Sequence, residues 1–260
     1  FFYSAVIAGT MALTPLTTAN AATVVDVELS LLIDVSGSVD STEFNLQRQG
    51  YVDAFLNPVI QNLILDTDSG NRLGKIAVNA IYWSGASQQI QAVGWTLIDS
   101  AQASIDFANT LFGTSRTYSG LTAPGNAINF AVNSINTNDF DGKAKVIDVS
   151  GDGSQNDGVS TATARTNAIT TGGIDRINGI AILGSEGGLQ TWYENNIKGG
   201  TDSFVIAASG FDTFGAAIEQ KLAYEITGTN PNVVPLPAAA WLLGAGIAGF
   251  GVIRRRQKRA

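Results

Sequence analysis

The feature that most constrains the fold is a regular alternation between short apolar runs and segments with helical periodicity. The first run, VVDVELSLLI at residues 24–33, predicts a buried strand. Asp40 then predicts a helix cap, Glu43 completes a capping box, and apolar residues continue at helical spacing through Val59. Further strands are predicted at 75–83, 89–93, 144–149, 176–183 and 203–207, and further helices at 100–112, 125–135, 159–170, 189–197 and 211–226.

This alternation is typical of α/β proteins. It predicts a doubly wound, mostly parallel sheet with helices on both faces. Ligands in such sheets bind beyond the carboxyl ends of the strands, where the strand order reverses. We therefore expect the functional site in the loops that follow Ile33 and Val149.

The absence of Cys and His from the 260 residues narrows the possible chemistry. It excludes disulfides, Cys–His and Ser–His–Asp catalysis, and zinc sites made of thiolate or imidazole. A bound metal must then have oxygen ligands, which favours Mg²⁺, Ca²⁺ or Mn²⁺. The net charge is −7, and because five of the 15 basic residues follow residue 253, the preceding body is more acidic still. An acidic body argues against nucleic acid as a partner.

The N-terminal residues 1–22 have the pattern of a signal peptide. An apolar stretch from Phe1 to Leu13 leads into small residues and then Ala19-Asn20-Ala21, which has the form of a cleavage site. The usual Met and basic segment are missing, so we expect the printed chain to begin inside this signal. The alternative is a buried N-terminal helix. The signal-peptide reading predicts an exported protein.

The C-terminal residues 235–260 predict a membrane segment after a linker at 228–234. Val-Pro-Leu-Pro ends at Pro237, 16 uncharged residues follow, and RRRQKRA closes the chain. Sixteen helical residues span roughly 24 Å, slightly short of a bilayer, and the basic cluster would stay cytoplasmic. The arrangement resembles the PEP-CTERM sorting signal of exported Gram-negative proteins, although Val-Pro-Leu-Pro replaces Pro-Glu-Pro. The resemblance implies processing by an exosortase; the alternative is a simple tail anchor.

Three loops carry oxygen-bearing side chains at the predicted strand ends and helix starts. The first has D-x-S-x-S, with Asp34, Ser36 and Ser38. The second has T-x-x-G-x-A-I and begins at Thr122. The third, D-V-S-G-D-G at residues 148–153, contains Asp152. Such hydroxyl and carboxylate oxygens suit a hard cation, although Ser36 and Ser38 alone could simply cap the next helix.

Together, in this order, the three motifs resemble those of the von Willebrand factor A-like domain, a Rossmann-like fold, over residues 24–226. We therefore place such a domain, of a bacterial subfamily with no assigned role, at 23–227. The resemblance implies a metal-ion-dependent adhesion site, with Ser36, Ser38 and Thr122 binding Mg²⁺ directly. Asp34 and Asp152 would act largely through water. Mn²⁺ or Ca²⁺ could replace Mg²⁺, and an open position on the ion would accept a partner's carboxylate.

These features predict an exported, non-catalytic module that binds or adheres through a divalent metal. Its partner would be a protein or polysaccharide offering a carboxylate. The C-terminal helix would anchor the protein in the inner membrane until an exosortase-type enzyme processes it, after which it would reach the cell surface or extracellular matrix. The alternatives are a matrix scaffold with a structural metal and a metal-dependent hydrolase. The hydrolase is less favoured because no pair of carboxylates with clear acid and base roles emerges.

Overall fold

The computed structural model describes residues 21–228. Its strands are β1 (Thr23–Asp34), β2 (Ile76–Trp83), β3 (Gln89–Ile98), β4 (Phe140–Gly151), β5 (Arg176–Ile182), β6 (Gly199–Gly200) and β7 (Val205–Ala208). Its helices are α1 (Ser41–Leu56), α2 (Pro58–Leu65), α3 (Ala101–Phe112), α4 (Pro124–Asn136), α5 (Thr161–Thr170), α6 (Leu189–Asn196) and α7 (Phe214–Thr227), with a 3-10 turn at Phe211–Thr213. In this part of the chain no helix has the length and apolar character needed to cross a membrane. The predicted signal peptide, except for its last two residues, and the predicted sorting signal lie outside the described residues.

The strands form one sheet in the order β3-β2-β1-β4-β5, with β6 and β7 both paired to β5. β1 pairs in parallel with β2 and β4, and β5 pairs in parallel with β4 and β7. β3 and β6 are antiparallel to their neighbours. The predicted fold class is therefore confirmed. The strand order reverses at β1 and β4, so the loops after these two strands flank the switch point.

The centre of the sheet is buried on both faces: every residue of β1 from Val25 to Asp34 is buried, including the polar Asp26, Glu28 and Ser30. Leu29, Leu31 and Ile33 pack with residues of α1, α2, α3 and α7 on one face. Leu32 packs on the opposite face with residues of α4, α5 and α6. The two helical layers hold β1 rigidly, so the position of the loop that follows it is fixed by the core.

Several boundaries differ from the sequence-based expectation, for example β4, which begins at Phe140 instead of residue 144, and two of the differences have a clear physical cause. The helix predicted to continue through Val59 is broken at Asn57, because Pro58 begins a new helix and the Asn57 side chain accepts a hydrogen bond from Val59 N at 2.9 Å. Strand β3 extends to Ile98, five residues beyond the prediction, because it continues to pair with β2 across a bulge. The predicted capping box between Asp40 and Glu43 is confirmed.

Helix α7 is fastened to the sheet by a buried ionic cluster. Lys221 Nζ lies 2.5 Å from Asp148 Oδ1 on β4 and 2.5 Å from Glu225 Oε1. Asn178 on β5 donates a hydrogen bond to the same Glu225 oxygen at 2.9 Å. Because Lys221 and both carboxylates are buried, removing the single ammonium would leave two uncompensated charges in the core.

Candidate metal centre

The first loop of the site begins where β1 ends. Asp34 is fully buried, and its Oδ1 accepts a hydrogen bond from Ser36 N at 2.7 Å. This contact turns the chain back on itself in the way that Asp side chains promote. The turn brings Ser36 Oγ to 3.2 Å from Ser38 Oγ. One strand end thus presents one carboxylate and two hydroxyls.

The third loop, at the end of β4, lies directly beside the first. Ile33 of β1 pairs in register with Ser150 of β4, so Asp152 follows its strand at nearly the same level as the serines. Ser38 Oγ donates to Asp152 Oδ1 at 2.7 Å, and Ser185 Oγ donates to Asp152 Oδ2 at 3.0 Å. The contact between Ser38 and Asp152 joins the two loops.

The second loop places Thr122 at the same site. Asn156 holds the Thr122 main chain in both directions: Thr122 N donates to Asn156 Oδ1 at 2.8 Å, and Asn156 N donates to Thr122 O at 3.0 Å. The Thr122 side chain lines an open cavity of about 360 Å³ that Ser38 and Asp152 also line. Asp34 and Ser36 are fully buried and connect to this cavity through Ser38. The structure thus brings all five predicted residues to one end of the sheet.

The site carries two carboxylates without a neighbouring positive charge. Asp34 Oδ2 is buried and has no hydrogen-bond partner. Burial raises the pKa of Asp34 to about 7; hydrogen bonds from Ser36 and from the main chain of Asp152 oppose this rise, and the negative charge of the Asp152 side chain adds to it. No Lys or Arg within residues 21–228 forms an ion pair with Asp34 or Asp152. Positive charge is therefore missing where two carboxylates approach each other.

These donors fit a hard divalent cation. Three hydroxyls and two carboxylates supply only oxygen, and a cation would compensate the unpaired charge of Asp34. No group of three or more carboxylates suited to a metal occurs in the described part of the chain. The site is therefore rich in hydroxyls and poor in carboxylates, as the motifs predict. Whether these residues are the ligands stays a prediction.

Several residues that support the site carry no motif in the sequence. Gln47 on α1 donates to Asp34 O at 2.8 Å, and Arg116 donates to Ser36 O at 2.6 Å. Asn156 reaches the site from the same loop as Asp152, and Ser185 and Glu186 reach it from the loop between β5 and α6. The sequence gives one partial signal, since Asn156 lies in the GDGSQNDG stretch after β4, which also reads as an ordinary turn. The others are brought close only by tertiary folding.

A family model described as "Protein of unknown function (DUF1194)" matches residues 24–230. No curated protein matches the chain.

Solved structures resemble this chain in fold. Proximal thread matrix protein 1 from the mussel byssus has a TM-score of 0.53 at 16% identity, covering 80% of this chain and 50% of that one. A second mussel structure, described as having a zinc-occupied MIDAS motif, has a TM-score of 0.52 at 14% identity, with coverage of 78% and 46%. The open form of the pilus adhesin SpaC from Lactobacillus rhamnosus GG has a TM-score of 0.56 at 17% identity, with coverage of 81% and 31%.

This chain spans about half the length of the mussel proteins and less of the adhesin. At these identities the likeness shows the fold alone. It agrees with the von Willebrand factor A-like architecture that the three motifs predict.

Proposed function

Because this chain belongs to the DUF1194 family of proteins of unknown function, we propose its role from the site itself. The domain binds a divalent cation at the ends of β1 and β4 and uses it to bind a carboxylate of a protein or polysaccharide partner. The observation that carries this proposal is the fully buried Asp34 Oδ2, which lacks a hydrogen-bond partner, at the strand end whose loop places Ser38 in one cavity with Thr122 and Asp152. A bound cation would explain both the unpaired charge and the open cavity.

The residues divide into two groups in this proposal. Ser36, Ser38 and Thr122 hold the ion directly, and Asp34 and Asp152 hold it largely through water. The ion supplies the positive charge that attracts a carboxylate. Mg²⁺ is the expected ion, although the same oxygens accept Mn²⁺ or Ca²⁺. The names of two fold relatives, an adhesin and a matrix protein with a MIDAS motif, point in the same direction.

We propose that the domain is a binding module rather than an enzyme. The chain contains neither His nor Cys, so the usual nucleophile–base pairs are unavailable. Asp34 has a pKa near neutrality, which suits a general base. However, its side chain is fully buried beneath the loop and does not line the cavity, so it does not reach a substrate there.

The proposal includes export. The predicted signal peptide directs the chain across the inner membrane, and the predicted sorting signal at 235–260 holds it there until an exosortase-type enzyme acts. The mature protein would then reside at the cell surface or in the extracellular matrix. The mussel byssus protein and the pilus adhesin are named for extracellular structures, which supports this location.

The experiment that tests the proposal is calorimetric titration of the 260-residue chain with Mg²⁺ and Mn²⁺. We expect one ion per chain in the native protein and none in Thr122→Ala. Thr122→Ser, which keeps the hydroxyl, is the matched control and should still bind. Failure of the native chain to bind any divalent ion would refute the proposal.

A second step separates adhesion from a purely structural metal. Poly-L-glutamate provides a carboxylate ligand, and its binding is measured with Mg²⁺ and again with a chelator. The adhesion proposal requires binding that Mg²⁺ supports and the chelator abolishes. Metal binding that raises the melting temperature without any Mg²⁺-dependent ligand binding would instead favour a matrix scaffold.

A further inference from the structure

A third carboxylate, Glu186, lies at the metal cavity and belongs to none of the three motifs. It lines the same cavity as Ser38, Thr122 and Asp152. Ser154 N donates a hydrogen bond to its Oε2 at 2.7 Å, so the side chain is turned toward the loop that contains Asp152. No hydrogen bond to Glu186 Oε1 is found within residues 21–228. One oxygen is therefore anchored and the other is available to the cavity.

The loop that carries Glu186 is built for this placement. It follows β5, the strand next to β4, so it emerges at the carboxyl end of the sheet. Ser185 in the same loop donates to Asp152 Oδ2 at 3.0 Å. Gly184 and Gly188 flank the loop with φ angles of 122° and 81°, which side chains other than glycine rarely adopt. No atom lies within 4 Å of a Cβ built on either glycine, so the backbone conformation and not close packing favours glycine at these two positions.

Glu186 increases the excess of negative charge at the site. It has no Lys or Arg partner in the described part of the chain. Burial raises the pKa of the Tyr193 hydroxyl well above its ordinary value, and the negative charges of Asp34, Asp152, Asp148 and Glu186 each raise it further. Glu186 thus adds a second carboxylate beside Asp152 in the lining of the cavity, and a divalent cation there is attracted to both.

We propose that Glu186 is the site's own competitor for a partner carboxylate. It binds the metal on the side that faces the cavity, and a partner's carboxylate must displace it. This inference rests on the proposed function and adds a restraint on it: in the resting site Glu186 takes the metal position that a partner's carboxylate needs, and only a ligand that outcompetes Glu186 binds there.

Glu186→Gln tests the inference, because the amide oxygen can still accept the hydrogen bond from Ser154 N while the charge is lost. The matched control is Glu194→Gln, which makes the same change on α6 at a carboxylate that pairs with Lys198 and does not line the cavity. The 260-residue chain is titrated with Mn²⁺ by calorimetry. Water-proton relaxation then gives the number of exchanging waters on the bound ion.

We expect Glu186→Gln to bind Mn²⁺ about tenfold more weakly, at the low end of losses seen when a group beside a metal is removed. The bound ion should carry about one more exchanging water than in the native protein. At saturating metal, the variant should bind poly-L-glutamate more tightly than the native chain does. Glu194→Gln should match the native protein in all three measurements.

The outcomes separate this inference from the proposed function. If the native chain binds no metal, the proposed function itself fails. If the native chain binds Mn²⁺ and Glu186→Gln matches Glu194→Gln, the metal site stands and the role of Glu186 is refuted. Weaker Mn²⁺ binding of Glu186→Gln with an unchanged water count would also overturn the inference, because Glu186 would then attract the ion from a distance without binding it. Weaker binding of poly-L-glutamate by Glu186→Gln would overturn it too, because Glu186 would then not compete with the ligand.

Discussion

Replacing Asp34 by Asn should stabilise the metal-free domain at alkaline pH while abolishing its response to Mg²⁺. The carboxylate is fully buried, and its Oδ2 has no partner. Asn keeps the oxygen that accepts the hydrogen bond from Ser36 N and removes the charge. The same substitution therefore relieves an unfavourable burial and deletes a group that the cation requires.

The magnitude follows from the pKa of Asp34, which burial raises from 3.8 to about 7. Between these two values the folded domain holds a proton that the unfolded chain has released, so stability falls as the pH rises through this window. Each pKa unit corresponds to about 1.36 kcal/mol. At pH 8 the ionised carboxylate therefore costs the metal-free domain about 4 kcal/mol of unfolding free energy. For a domain of this size that is a difference of about 10 °C in melting temperature.

The assay is thermal unfolding of the native chain and of Asp34→Asn at pH 5 and pH 8, each with chelator and with Mg²⁺. In chelator at pH 8 the variant should melt higher, and at pH 5 the advantage should shrink because the native carboxyl is already protonated. Mg²⁺ should raise the melting temperature of the native protein most at pH 8 and leave the variant unchanged. A variant that melts below the native protein at pH 8 in chelator would refute the argument from buried charge.

Three further substitutions test other parts of the structure. Thr122→Val should lose the Mg²⁺-dependent rise in melting temperature, whereas Thr122→Ser should retain it. Gly151→Ala should lower the free energy of unfolding, measured in urea, by about 1–3 kcal/mol. The reason is that the added Cβ would lie 2.6 Å from Asp34 Oδ2. An unchanged urea midpoint would show that the loop relaxes to accept the Cβ. Lys221→Met should lower the free energy of unfolding by about 3–5 kcal/mol, because Asp148 is then buried without its partner. The double variant with Asp148→Asn should recover part of this loss.

The parts of the structure that the sequence predicts are those encoded locally. The strand at 24–33 begins with alternating residues and ends in an apolar run, and D-x-S-x-S follows it directly, so Asp34 is placed at a strand end without any knowledge of the neighbours. The capping box that starts α1 is likewise contained in four residues. Thr122 and Asp152 are found by their motifs, and the parallel sheet brings them together because strand ends meet at one edge.

The parts that the sequence does not predict depend on distant neighbours. The extension of β3 follows from its pairing with β2, which no local pattern reveals. Gln47 and Arg116 are ordinary polar residues until folding brings them to the main chain of the first loop. Glu186 lies in a glycine-rich turn that reads as a plain connection, and only the adjacency of β4 and β5 brings it to the cavity.

Several buried polar atoms of the domain lack hydrogen-bond partners, and three of them lie near the proposed metal site. Asp34 Oδ2, Trp83 Nε1 and Tyr193 Oη are all buried without partners. Trp83 pairs in register with Asp34, and a Cβ on Gly151 would touch both Asp34 Oδ2 and Tyr193 Oη, so the three groups lie at one end of the sheet. Each buried polar atom without a partner lowers the free energy of unfolding by about 1–3 kcal/mol. Tyr193→Phe would remove one such atom. A cation at this end of the sheet would compensate the unpaired carboxylate oxygen of Asp34.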